Sequence, residues 1–222
     1  MIVLIVAAHP DDEVLGCGGT IARHVAEGDD VNILIVAEGA TSRGDEDEDA
    51  VARLRDSARA AAEVLKAKPP ILSGFADNRL DSMDRLDVIK EVERHVAKIQ
   101  PETVYTHHGG DLNIDHRIVH EAVITACRPL PGSTVRQIFS FEAASSTEFA
   151  TPAIGRPFNP VHFVDISDHL ATKLAGMGCY STEMRPFPHP RSVEAVEASA
   201  RLRGSHVGMA AAEAFQTELD LR

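Results

Sequence analysis

The feature that most restricts the fold is an alternation that runs through residues 2–106. Short apolar runs at 2–8 (IVLIVAA), 31–37 (VNILIVA), 71–72 (IL) and 103–106 (TVYT) are separated by longer segments with helical periodicity. Val51, Leu54, Ala58, Ala61 and Leu65 recur at three- and four-residue steps, and Leu86, Ile89, Val96 and Ile99 share another stripe. Runs this short and this β-branched read as buried parallel strands. Strands alternating with amphipathic helices predict a Rossmann-like three-layer α/β sandwich, its sheet mostly parallel, with right-handed crossovers. Helices are expected over 14–28, 51–66 (stopped by Pro69-Pro70) and 84–99, each closed by Gly or Pro.

Beyond Pro129 the pattern changes. Residues 135–142 and 161–166 read as strands that form a far edge or a small extra lobe. Helices are expected over 168–179 and 192–203, with a short final helix from Met209. No repeat or linker divides the chain, so residues 1–222 are expected to form one domain.

The first strand empties into His9, Pro10, Asp11, Asp12 and Glu13 before a Gly-rich helix start, Gly16-Cys17-Gly18-Gly19. That run is not the GxGxxG of dinucleotide binding. Three adjacent carboxylates repel one another unless a cation or proton sits among them. The strand at 103–106 empties in the same way into HHGGDLNIDH, which places His107, His108, Asp111, Asp115, His116 and His120 close together. In a doubly wound sheet the carboxyl ends of parallel strands share one edge, where ligands bind. His9 and Asp12, three apart at a strand–helix turn, can supply two metal ligands, and His116 is the natural third. Two imidazoles, one carboxylate and an open position for water make the donor set of a hydrolytic zinc site.

Composition removes other classes. The formal charge of −12 argues against a nucleic-acid or anionic-membrane surface, and the absence of Trp argues against an aromatic base-stacking platform. The N-terminal apolar run lacks a basic flank and is not expected to be a signal sequence, and no run reaches transmembrane length. Three cysteines without a CxxC pair fit a reduced, cytoplasmic setting.

The combination of A-H-P-D-D-E, a Gly-rich helix start and a later D-x-N-x-D-H-R-x-x-H resembles the PIG-L/LmbE-like zinc deacetylases. FADNRLD at 75–81 and the PHPRSVEA and RGS segments near the end extend the likeness. The resemblance implies a Rossmann-like fold and removal of acetyl, or another acyl group, from a small-molecule N-acetylated amino sugar or glycoconjugate. It makes His9, Asp12 and His116 the Zn²⁺ ligands and Asp11 the general base, with Glu13 and Asp115 behind them, orienting imidazoles or capping helices. Many relatives carry a His where this chain has Asn113, a residue implied to help the oxyanion. Asn113 can still donate a hydrogen bond there, with His107 or His108 as replacements. Arg55 (with Arg53 as rival), Asp77, Asn78 and His108 are the implied substrate contacts, and Arg43 and Arg185 are candidates for an anionic part of the substrate.

Two other classes share parts of this pattern. A non-haem Fe(II) oxygenase uses the same two-His, one-carboxylate count, although H-x-D is its usual spacing and His9-x-x-Asp12 is found here. A non-catalytic sugar-binding member of the fold is the other. The sugar, the native metal among Zn, Fe and Co, and any homo-oligomer are left open by the sequence.

Overall fold

The computed structural model describes residues 1–40 and 48–222, Glu48 by its backbone alone. Arg43 lies outside the described residues. The expected alternation is present as β1 (Ile2–Ala7), α1 (Asp12–Ala26), β2 (Asp30–Ala37), α2 (Glu48–Val64), β3 (Ile71–Phe75), α3 (Arg85–Ile99), β4 (Thr103–His107) and α4 (Ile114–Ala126). β5 (Gln137–Phe141), β6 (His162–Asp165), α5 (Leu170–Gly178), α6 (Val193–Ser205) and β7 (Ala212–Asp220) follow.

One sheet carries all seven strands in the order β3-β2-β1-β4-β5-β7-β6. The first five are parallel, and β7 runs antiparallel to both β5 and β6. Period-two alternation sorts β1 between two cores. Val3, Ile5 and Ala7 pack with α1, α2 and α5 on one face, and Leu4, Val6 and Ala8 pack with α3 and α4 on the other. Chain order reverses between β1 and β4, so α1 and α4 leave this pair on opposite faces and open a crevice at its carboxyl edge.

Three expectations need correcting. The tail is the nine-residue strand β7 and not a helix, despite its alanines. Ala212, Ala214 and Phe215 are buried between neighbouring strands, and sheet pairing on both sides outweighs Ala's helix propensity. Of the two strands expected at a far edge, β6 does lie there, whereas β5 continues the parallel sheet beside β4 and is almost wholly buried. In α3 the buried stripe is Val88, Val92 and His95, and Leu86 is 60% exposed.

The glycines of α1 let it press onto the sheet. A Cβ at Gly16 would lie 2.3 Å from the Phe141 ring, and one at Gly19 would lie 2.7 Å from Ile166. The same helix is gripped by a buried ion pair between Lys173 and Glu213. The Lys173 ammonium donates to the Leu15 carbonyl at 2.7 Å, and the Glu213 carboxylate accepts the N–H groups of Gly19 and Thr20 at 3.0 and 2.7 Å. Removing one partner of such a pair leaves an uncompensated buried charge. Lys173→Met is therefore expected to cost about 3–5 kcal/mol. Urea unfolding checks this as a lower midpoint at unchanged slope, and an unchanged midpoint would show that the pair contributes nothing net.

Candidate metal centre and its surroundings

β1 ends at Ala7, and the turn that follows brings His9, Asp11, Asp12 and Glu13 into the crevice, all of them buried. Asp11 closes the turn at φ 110°, a conformation L residues rarely adopt and one typical of functional strain. Asp12 and Glu13 occupy the first turn of α1, where the helix dipole favours negative charge.

The three expected ligands come together. One oxygen of Asp12, Oδ2, lies 3.2 Å from His9 Nδ1 and 3.2 Å from His116 Nε2, and it accepts the His9 backbone N–H at 2.9 Å. One ligand atom from each residue falls within 4.8 Å of the others. The outer nitrogens face carboxylates. His9 Nε2 lies 3.1 Å from both Asp115 and Asp77, and His116 Nδ1 lies 3.1 Å from Asp111. Carboxylates so placed behind the outer nitrogens can fix the tautomers and would leave the inner lone pairs free for a shared cation, as in metal centres with ordered ligand shells. Asp12 Oδ1, fully buried, has no hydrogen-bond partner among the described residues. A buried carboxylate oxygen left unsatisfied is costly unless an ion takes it up. The donor set therefore fits a divalent metal.

A second trio, His9, Asp77 and Asp115, is equally close-set. Both Asp115 oxygens already accept backbone N–H groups, from Asn78 at 2.7 Å and Leu80 at 3.1 Å. Those bonds pin the turn at 77–82 to α4 and make Asp115 and Asp77 supports for His9.

Charge follows from the same geometry. Burial pushes the Asp12 carboxyl up, but the adjoining imidazoles of His116 and His9 outweigh it and hold Asp12 well below the usual range. Burial also opposes charge on His116, yet Asp12 and Asp111 raise it to about 9. Asp111 is itself drawn down to about 2, its burial outweighed by His116, Ser146 and Thr147. Burial pushes Asp11 well above an ordinary carboxyl, a shift only partly offset by Arg191. Glu13 is raised to about 7 by burial, against the hydrogen bond from Tyr180. His107 is buried and held neutral, its Nε2 accepting the Ala8 N–H at 2.8 Å while its ring stacks on His116 at 3.9 Å.

The remaining expected residues are spread around this centre. Asn113 caps α4, its Oδ1 accepting the Asp115 N–H at 2.8 Å and its Nδ2 donating to Asn78 at 3.1 Å. Glu13 accepts the Asp11 N–H at 3.1 Å and the Tyr180 hydroxyl, so it braces the turn. His108 Nε2 donates to the Arg156 carbonyl at 2.8 Å, and the ring lines a separate cavity of about 340 Å³ with Glu142, Thr147, Phe158 and Arg203. Arg55 is exposed on α2 with its guanidinium beside Gly74 at the end of β3, and Arg185 bonds the carbonyls of Thr182 and Met184 in its own loop.

Three contributors have roles here that the sequence did not assign: Asp111, Tyr180 and Arg191, while His107, offered above for the oxyanion, accepts the Ala8 N–H and stacks on His116. Asp111 sits inside the HHGGDLNIDH cluster, whose crowding was the available signal. Tyr180 and Arg191 come from the segment between α5 and α6, and nothing in their local spacing links them to the first turn. Asp111→Asn should weaken divalent-metal binding about 10- to 100-fold while leaving the ligands in place. Competition with a chromophoric chelator measures this, and unchanged affinity would mean that Asp111 serves only the loop.

Residues 4–127 match the family model described as PIG-L, GlcNAc-PI de-N-acetylase. A protein named "uncharacterized deacetylase YaiS", from Escherichia coli, is 28% identical over 180 residues, covering 79% of this chain and 88% of its own. The 1D-myo-inositol 2-acetamido-2-deoxy-α-D-glucopyranoside deacetylase of Rhodococcus erythropolis is 28% identical over 228 residues, covering 89% of this chain and 72% of its own. Among solved structures, the conserved protein TT1542 of Thermus thermophilus superposes with a TM-score of 0.77 at 25% identity, over 99% of this chain and 96% of that one. Among the described residues no helix is long and apolar enough to cross a membrane.

Proposed function

This chain belongs to the PIG-L family, and from that premise we propose that it is a zinc-dependent hydrolase that removes the acetyl group from an N-acetylated amino sugar or glycoconjugate. The observation that carries the reading is the division of labour among the buried acids. Asp12 faces two imidazoles whose outer nitrogens are backed by Asp115, Asp77 and Asp111, while Asp11, next in the chain, stands outside the trio.

His9, Asp12 and His116 would hold the ion. When bound, zinc lowers the pKa of a water toward neutrality and polarises the amide carbonyl. Asp11 accepts the proton of the attacking water, and its burial, which raises its proton affinity, suits that role at neutral pH. It then returns the proton to the departing amine. Asn113 caps α4 and donates one amide N–H to Asn78; its second amide N–H is proposed for the oxyanion. Asn78 and Arg55 are proposed for sugar hydroxyls, and His108 for a more distant part of the substrate. Asp77, in contact with His9, joins substrate binding to ligand orientation.

The iron-oxygenase reading shares only the ligand count; it expects an all-β chain, whereas five parallel strands with flanking helices are found here. The deciding experiment is acetate release from N-acetylglucosamine, its UDP conjugate and N-acetylglucosaminyl lipid by zinc-loaded protein. Stoichiometric zinc with no release from any of the three would favour a non-catalytic sugar-binding role.

A further inference from the structure

Arg191 comes from the loop before α6, outside the residues matched by the family model, and yet it reaches the first turn of the chain. Its Nη1 donates to Asp11 Oδ2 at 2.7 Å and lies 3.7 Å from Glu183. Its Nε donates to the Ser145 hydroxyl at 2.7 Å and to the Ala144 carbonyl at 3.3 Å. The side chain is thus held at both ends and is 21% exposed, which is uncommon for a guanidinium without a task. Its backbone is no looser: the Arg191 N–H donates to His189 Nδ1 at 3.1 Å, and Ser192, fully buried, caps α6 through the Ala195 N–H at 3.1 Å.

We propose that Arg191 is the positioning residue for Asp11, gripping Oδ2 so that Oδ1 is the oxygen presented to the reacting water. The inference rests on Asp11 being the general base. Asp11 needs such a restraint because its backbone is strained at φ 110° and the carboxylates of Asp12, Glu13 and Glu183 surround it. Arg191 is the cation that offsets those three charges, and a guanidinium fixes direction as well as charge. The turn that anchors it also serves the metal half of the site. Ser145, Arg191's anchor, is followed by Ser146 and Thr147, whose hydroxyls both donate to Asp111 behind His116. The loop after β5 therefore sets base and ligand in one frame.

The test uses the full-length, zinc-loaded chain and whichever of the three N-acetyl sugars above turns over fastest. Arg191→Gln should lower kcat by about 10- to 100-fold, the penalty of a reacting group displaced by roughly an ångström. KM and zinc stoichiometry should stay unchanged. In an Asp11→Asn background the same substitution should cost nothing further, because two residues acting through one another are non-additive. Arg191→Lys should recover part of kcat by restoring charge without the fork, and Arg201→Gln, at an exposed arginine paired with Glu197, should behave as wild type. A loss of equal size in both backgrounds, or one carried by KM, overturns the proposal. If Arg191→Gln does not fold, Arg191→Lys decides: lowered kcat with normal melting and zinc supports the role, and full kcat overturns it. Full activity of Asp11→Asn alone would instead overturn the assignment of the base, whatever Arg191 does.

Discussion

Asp11→Asn is expected to bind zinc as the native chain does and to lose turnover by about 10²- to 10⁴-fold, the range spanned by removing a positioned general base. The substitution is nearly isosteric, and Asn can still accept the Arg191 guanidinium, now at 2.7 Å from Oδ2, through its amide oxygen. It cannot take a proton from water. The metal trio is untouched, because Asp11 contributes no atom to it. Bound-metal analysis alongside steady-state acetate release separates the two effects. Full turnover with zinc retained would remove Asp11 from the mechanism, whereas loss of zinc would show that the turn, and not the proton, was disturbed.

The second large effect is expected at Asp12, where loss of the side chain should abolish both metal binding and activity. Asp12 Oδ2 is the point on which His9 Nδ1 and His116 Nε2 both converge, each at 3.2 Å. Asp12→Ala removes one proposed ligand and the charge that both imidazoles face. Chelation of the native chain should silence it reversibly, with zinc restoring turnover. The pH dependence has a definite sign. Metal-free His116 holds its proton up to about pH 9, because Asp12 and Asp111 outweigh the burial that opposes its charge. With His116 as the proposed ligand, a divalent ion would have to displace that proton at pH 7, so binding is expected to release protons and apparent affinity to rise with pH, falling as the medium turns acid. Calorimetry in buffers of different ionisation enthalpy counts the released protons. A count of zero would mean that His116 is neutral before metal arrives, or that it is not a ligand.

Much of this centre is legible in the sequence because its parts are local. His9 and Asp12 lie on one strand–helix turn, and three residues of spacing are enough to bring Nδ1 and Oδ2 to 3.2 Å. His116 needed one further step: parallel strands β1 and β4 are neighbours and open their loops at a common edge. The strand–helix alternation implied that step, so the three residues that meet there, His9, Asp12 and His116, could be named from pattern alone. Glu13 shows the limit. Its position predicts a supporting role, but its partner, Tyr180, depends on where the segment after α5 is laid down.

The tail illustrates the same limit at the level of the fold. AEAFQTELD carries helix-forming alanines and becomes a strand because a place between β5 and β6 awaits it, and because Glu213 on that strand meets Lys173 beneath α1. No window of nine residues contains that information.

The sequence by itself therefore determined the layered α/β architecture, the two half-sites and the identity of three residues able to hold a metal. Each of these rests on periodicity and spacing within a single turn or a single crossover. Only the tertiary structure decided which nitrogen of each imidazole faces inward, that Asp77, Asp115 and Asp111 stand behind them, and that Arg191 closes over Asp11. Those contacts join segments far apart in the chain, and their geometry is set by strand order and by the packing of α1 against β5, Ile166 and β7. Local propensity carries no record of either.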